Sequence, residues 1–140
     1  MPRLIVWCLR AALLNLGAGF SLGAIMLATP VLHLPGDMLR FRLLHAELLL
    51  IGWMVQLALG VAYWILPRFR VGFNRGRSAP VWIAMLLLNG GVYAAGIGQA
   101  VGMLAMAWAG RVGEGLAALI FATHLWLRVG HAGRGEVRSP

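Results

Sequence analysis

The sequence predicts an all-α protein, an integral membrane four-helix bundle with both termini cytoplasmic. Three observations carry that expectation. The 140 residues are 61% hydrophobic and only 11% charged, with a mean hydropathy of +0.82, whereas a soluble domain sits near about 45–50% apolar and about 25% charged. Four apolar stretches, about 4–28, 43–66, 80–108 and 112–128, run along the chain, and a hydrocarbon core about 30 Å thick needs roughly 20 helical residues to cross. The arginines, finally, are shared unevenly between the ends of those stretches.

The first stretch follows Arg3 and resembles the start of a secretory signal, but its apolar run is longer than a signal's hydrophobic region, so it reads as a retained helix. Gly19 and Gly23 within it form a GxxxG pair, a spacing that lets helix backbones approach closely in lipid. Pro30, Pro35, Gly36 and Asp37 then break the chain. The second stretch closes at Pro67, before the polar loop RFRVGFNRGRSAP over 68–80. The third carries a second GxxxG pair, Gly98 and Gly102. Gly110, Gly113 and Gly115 mark the expected turn into the fourth, and 129–140 reads as a polar tail. In this arrangement Arg3, Arg10, Arg68, Arg70, Arg75, Arg77, Arg128, Arg134 and Arg138 share one side, against Arg40, Arg42 and Arg111 on the other. The excess of positive charge on short cytoplasmic segments sets the direction, in a membrane of the prokaryotic inner type.

A net charge of +8 would suit nucleic acid, yet the arginines lie beside apolar spans, so topology explains them and no nucleic-acid partner is expected. Cys8 is the single cysteine and forms no intramolecular disulfide. No constellation for hydrolysis or group transfer is present, and no glycine-rich phosphate loop follows a strand. The lipid bilayer is the expected surrounding.

The second stretch holds the chemistry. At about 100° per residue, positions separated by 7, 11 and 18 return to nearly one face. His45, Gly52, Gln56 and Tyr63 therefore line one stripe. A neutral imidazole is a metal ligand, and a glycine one pitch or so below it would leave room for a flat ring. A histidine this close to the span's end could equally meet water and headgroups. Glu47, two residues on, turns away from the stripe and is expected to pair with Arg40 or Arg42, or else to bind a proton or metal.

The segment RLLHAELLLIGWMVQLALGVAYWILPR, residues 42–68, resembles the second transmembrane helix of subunit I in the haem–copper oxidase superfamily, above all its nitric oxide reductase and C-type oxidase branches. His45 opens it, Gly52–Trp53 follow, and Gly60–Tyr63 with Pro67 close it. It is also similar to short four-helix, oxidase-subunit-like membrane proteins. The resemblance implies that His45 is an axial ligand of low-spin haem b. It covers about 27 of 140 residues. Four spans are far fewer than the family's twelve or so, and four scattered histidines make no copper cluster, so reduction of oxygen or nitric oxide by this chain alone is not expected.

A second axial ligand would come from His33, from a symmetry-related His45 across a homodimer, or from nothing at all, leaving an open position. His124 is expected at a different depth and marks either a hydrogen bond between helices or a second haem or quinone pocket. Arg40 and Arg42 stand where haem propionates would emerge, and would serve as interface anchors otherwise. The leading expectation is thus a small membrane cytochrome b that transfers electrons within or beside a respiratory-type complex, rather than a stand-alone catalyst. The alternative is a haem-free accessory or assembly subunit of a larger membrane complex.

Overall fold

The computed structural model describes residues 3–33, 37–65 and 79–132, with side chains as far as Trp126 in the last segment. Most of the 68–80 loop and the chain beyond residue 132 lie outside the described residues, as do Pro35, Gly36 and Pro67. Four helices result: α1 (Arg3–Leu32), α2 (Met38–Ile65), α3 (Ala79–Ala100) and α4 (Leu104–Ala132). Each contains a span long and apolar enough to cross a membrane. Helix is the expected conformation there, because hydrocarbon offers no water to backbone N–H and C=O groups and a helix satisfies them within itself.

The bundle is organised around α3. Half of its most apolar 18-residue window is buried, against 17% for α1, which makes α3 the central helix and α1 a peripheral one. One flank of α3 carries α4 and the other carries α2, with α1 laid on α2. Successive helices run antiparallel. A core of Leu4, Cys8, Met85, Leu88, Ala117 and Phe121 joins α1, α3 and α4 at one end. Leu44, Leu48 and Val92 form a smaller core toward the other.

The last two helices join at a different place from the expected one. α3 ends at Ala100, and the turn is Val101–Met103, where Gly102 takes φ +76°. Met103 N–H donates to Gly98 O at 2.8 Å and Gly102 N–H to Gln99 O at 3.2 Å. This is the Schellman arrangement, which caps open carbonyls and favours glycine in the left-handed position. Gly110, Gly113 and Gly115 lie inside α4 instead. Gly110 faces the backbone of Gly91 and Ala95, and Gly98 faces Ala107, with no room for a side chain at either glycine. Their use is close approach of α3 and α4 rather than a turn, since small residues let helices pack tightly where no hydrophobic force drives them together.

Two smaller corrections follow. α1 continues through Pro30 to Leu32 before His33 turns at φ 50°. α4 continues to Ala132, four residues into the stretch read as tail.

α2 itself is not a uniform helix. A 3₁₀ turn at Met38–Phe41 is capped by Asp37, whose carboxylate accepts from Leu39 N–H at 3.1 Å. After one α segment, Arg42–Glu47, residues Leu48–Val55 wind as a π-helix, and Gln56–Ile65 return to α. In the widened stretch Gln56 N–H reaches back to Ile51 O instead of its α-helical partner Gly52 O. Gly52 O is thereby opened to a side chain from another helix. Such π segments are uncommon and concentrate where a helix carries function.

Candidate functional site

His45 is half-buried on the α1 side of α2, and its Nδ1 lies 2.8 Å from Gly19 O. A carbonyl oxygen only accepts, so in the neutral ring Nδ1 carries the proton and donates, and Nε2 keeps its lone pair. The ring occupies the notch at Gly23, where a Cβ would stand 2.6 Å from its Cε1. The first GxxxG pair thus has a specific partner: Gly23 makes room for the imidazole and Gly19 orients it, while Leu48 and Leu49 also pack on Gly19. Nε2 has no hydrogen-bond partner among the described residues and is not sealed in the interior.

The rest of the stripe is occupied otherwise. The gap at Gly52 is filled by Asn15, whose Nδ2 donates to Gly52 O at 2.9 Å and approaches the glycine closely. The space read as room for a flat ring is therefore taken by a side chain of α1. Gln56 is also turned to α1, donating through Nε2 to Cys8 O at 3.2 Å. Tyr63 faces α4, where its ring stacks on His124 with centroids 6.0 Å apart and planes at 23°. His45, Gly52 and Gln56 share one face, while Tyr63 belongs to another contact.

The other expected residues separate further. His33 is exposed at the end of α1. It stands ten residues beyond the Gly23 notch, about 15 Å along a helix, so α1 does not bring it to His45. His124 contacts Tyr63 rather than His45, in keeping with the depth difference read from the spans. Arg40 and Arg42 are both exposed, and Arg40 Nε donates to Asp37 O at 3.0 Å.

Glu47 pairs with neither Arg40 nor Arg42. Its Oε1 meets Arg111 Nη1 of α4 at 2.5 Å, and the same nitrogen reaches Glu114 Oε2 at 3.1 Å. The sequence pattern puts Arg111 in the outer turn. With the turn at Val101–Met103, it instead stands seven residues into α4 and Glu114 ten, about 10 and 15 Å below the start of that helix. Glu47 and Glu114 are 5% and 8% exposed, which makes this a buried charge cluster between two of the apolar helices. Reading the chain alone missed Glu114 because Gly110–Gly115 passed for a loop. The available signal was the i, i+3 pairing of Arg111 and Glu114 inside an otherwise apolar helical run.

A second polar cluster surrounds Asn15. Its Nδ2 also donates to Asn89 Oδ1 at 2.9 Å, and Tyr93 OH donates to Asn15 Oδ1 at 3.0 Å. Asn15 is 2% exposed and is satisfied by partners on two other helices, α2 and α3. This network locks α1, α2 and α3 together and leaves nothing for a ligand.

No group of three or more metal-ligating side chains occurs among the described residues. A haem needs fewer protein ligands, and the fit can be judged group by group. His45 fits: its proton-bearing nitrogen is tied to a backbone carbonyl, the arrangement that orients ligating histidines and directs the other nitrogen at a metal. An enclosed haem inside one copy does not fit, because Asn15 fills the Gly52 gap and no second imidazole lies at that level among the described residues. The site suits one axial bond at the bundle surface.

No protein-family model matches the chain, and neither the curated proteins nor the solved structures contain a match to it.

Proposed function

We propose that this chain is a small membrane subunit that binds haem b through His45 Nε2, with the site completed by a protein surface outside the single bundle. The carrying observation is the 2.8 Å contact of Nδ1 with Gly19 O in the notch at Gly23. That contact selects the ring tautomer, fixes its plane and leaves Nε2 unpaired. When bound, haem b supplies a one-electron carrier whose potential is set by its ligand, its burial and the hydrogen bonds around it. Gly19 O makes the imidazole a better donor, and Gly23 keeps the ring from rotating. Arg40 and Arg42, exposed at the same end of α2, supply positive charge for propionates or for the membrane surface. A second copy is the simplest completing surface, since an isologous contact sets identical residues opposite one another. The arginine distribution favours a cytoplasmic location for the shared end of α1 and α4.

A haem-free accessory subunit is the second reading, favoured by one observation. Gly52 and Gln56 spend their polar groups on α1, so most of the stripe is explained by packing alone. Titration of the purified full chain with ferric haem separates the two. Saturable binding that His45→Ala abolishes, with the helical content and melting temperature of that variant retained, supports the haem reading. Equal binding by the wild type and His45→Ala would overturn it.

A further inference from the structure

We propose that the Glu47–Arg111–Glu114 cluster is a proton-binding site within the membrane, the proton residing on Glu114. The count of charges comes first. Two carboxyl groups share one guanidinium, so with both ionised the cluster would keep a net negative charge away from water. A buried charge without compensation is neutralised by a proton when the group can accept one.

Among the described residues, no other side chain supplies the missing positive charge. α3, packed against both partners, carries no charged residue between Ala79 and Ala100. Its one titratable group, Tyr93, donates to Asn15. On α2, Arg40 and Arg42 are exposed at the helix end, and His45 faces α1. Nothing on α4 between Leu104 and Trp126 is charged apart from Arg111 and Glu114, and His124 stacks on Tyr63 more than two turns away.

The orphaned oxygens point to the same place. Arg111 Nη1 takes one oxygen of each carboxyl group, Glu47 Oε1 and Glu114 Oε2. The other two, Glu47 Oε2 and Glu114 Oε1, are buried and have no hydrogen-bond partner among the described residues. Each carboxyl group is more than nine-tenths buried. Two buried acceptors in one cluster thus lack a donor. One proton, bound to Glu114 Oε1, turns that orphaned oxygen into a donor and brings the cluster to neutrality. Glu114 is the holder because the shorter contact of Arg111, 2.5 Å against 3.1 Å, belongs to Glu47.

The surrounding helix is shaped for this group. A Cβ at Gly91 would lie 2.8 Å from Glu114 Cγ, so α3 is notched where the carboxyl stem enters. Ionisable groups within a membrane span are rare, and those that face the protein interior in pairs mark proton or ion pathways. The proton is taken from water and returned to it or to a mobile base, and no bond or electron is otherwise exchanged. Glu114 does not touch His45, so this site stands whether or not His45 binds iron.

Infrared spectroscopy of the full chain in phosphatidylcholine vesicles at neutral pH tests the proposal. The expected result is a carbonyl band of a protonated carboxyl group that shifts in heavy water and with carboxyl-¹³C glutamate. The band is lost in Glu114→Gln, whose amide replaces the donor and preserves the melting temperature. It is lost also in Glu47→Gln, where Arg111 pairs with an ionised Glu114. Absence of the band in the wild type would overturn the proposal, as would a band that survives in both variants or is unmoved by labelled glutamate. The wild-type labelling result decides the matter even where a variant fails to fold.

Discussion

His45 and Glu47 stand two residues apart on α2 and do opposite things. A separation of two is about 200° around a helix, so His45 meets α1 and Glu47 meets α4. The polarity of each is explained by what it touches. For His45 the decisive neighbour is a missing side chain, Gly23. Gly23→Val should displace the imidazole, break the bond to Gly19 O and weaken ferric haem binding at least tenfold, or about 1.4 kcal/mol. Nitrogen-15 spectra of the ring report the cause directly, with the proton on Nδ1 in the wild type and no such preference in the variant. A wild-type ring protonated on Nε2 would contradict the assignment. Asn15 provides the contrast. Asn15→Leu removes bonds to Gly52, Asn89 and Tyr93, each worth about 0.6 kcal/mol on average between membrane helices. The expected loss is about 2 kcal/mol in a detergent unfolding titration, with haem binding unchanged. Loss of haem without loss of stability would place Asn15 in the ligand site instead.

At the scale of elements, the glycines of α3 and α4 carry the most specific prediction. Gly102 has φ +76° and open space around it, so Gly102→Ala costs only backbone strain, about 1–2 kcal/mol. Gly110 sits against the backbone of Gly91 and Ala95, and Gly110→Val must push two helices apart. Unfolding titrations should find Gly110→Val the more damaging by a clear margin. The reverse order would restore a turn at Gly110–Gly115 and undo the position of Arg111. This pair also shows what could be read from the chain. The existence of four helices was legible, because length and hydropathy alone decide whether a segment can cross a bilayer. The place of the last turn was not, because glycine serves turns and close helix contacts alike, and only the partner helix tells them apart. The stripe His45, Gly52, Gln56 was legible as a face, since its spacing is that of a helix. What it faced was not, as Asn15 comes from another helix and the π-helical stretch Leu48–Val55 that opens Gly52 O leaves no signature in the spacing.

For the whole molecule, the peripheral position of α1 matters most. Only 17% of its most apolar window is buried, so much of its surface meets lipid or another protein, and His45 lies along its edge. On the proposed topology, the arginine distribution sets the shared end of α1 and α4 in the cytoplasm. Reporter fusions before Arg3 and after Pro140 should both report cytoplasmic location, and opposite results would require an odd number of spans. The central claim is that His45 exists to hold iron, and the most direct test is a reduced-minus-oxidised absorption spectrum of the full chain purified from haem-replete cells, with pyridine extraction to count haem. The account predicts sharp b-type bands at one haem per chain or per pair of chains, absent from His45→Ala. A flat spectrum from folded wild-type protein would contradict it.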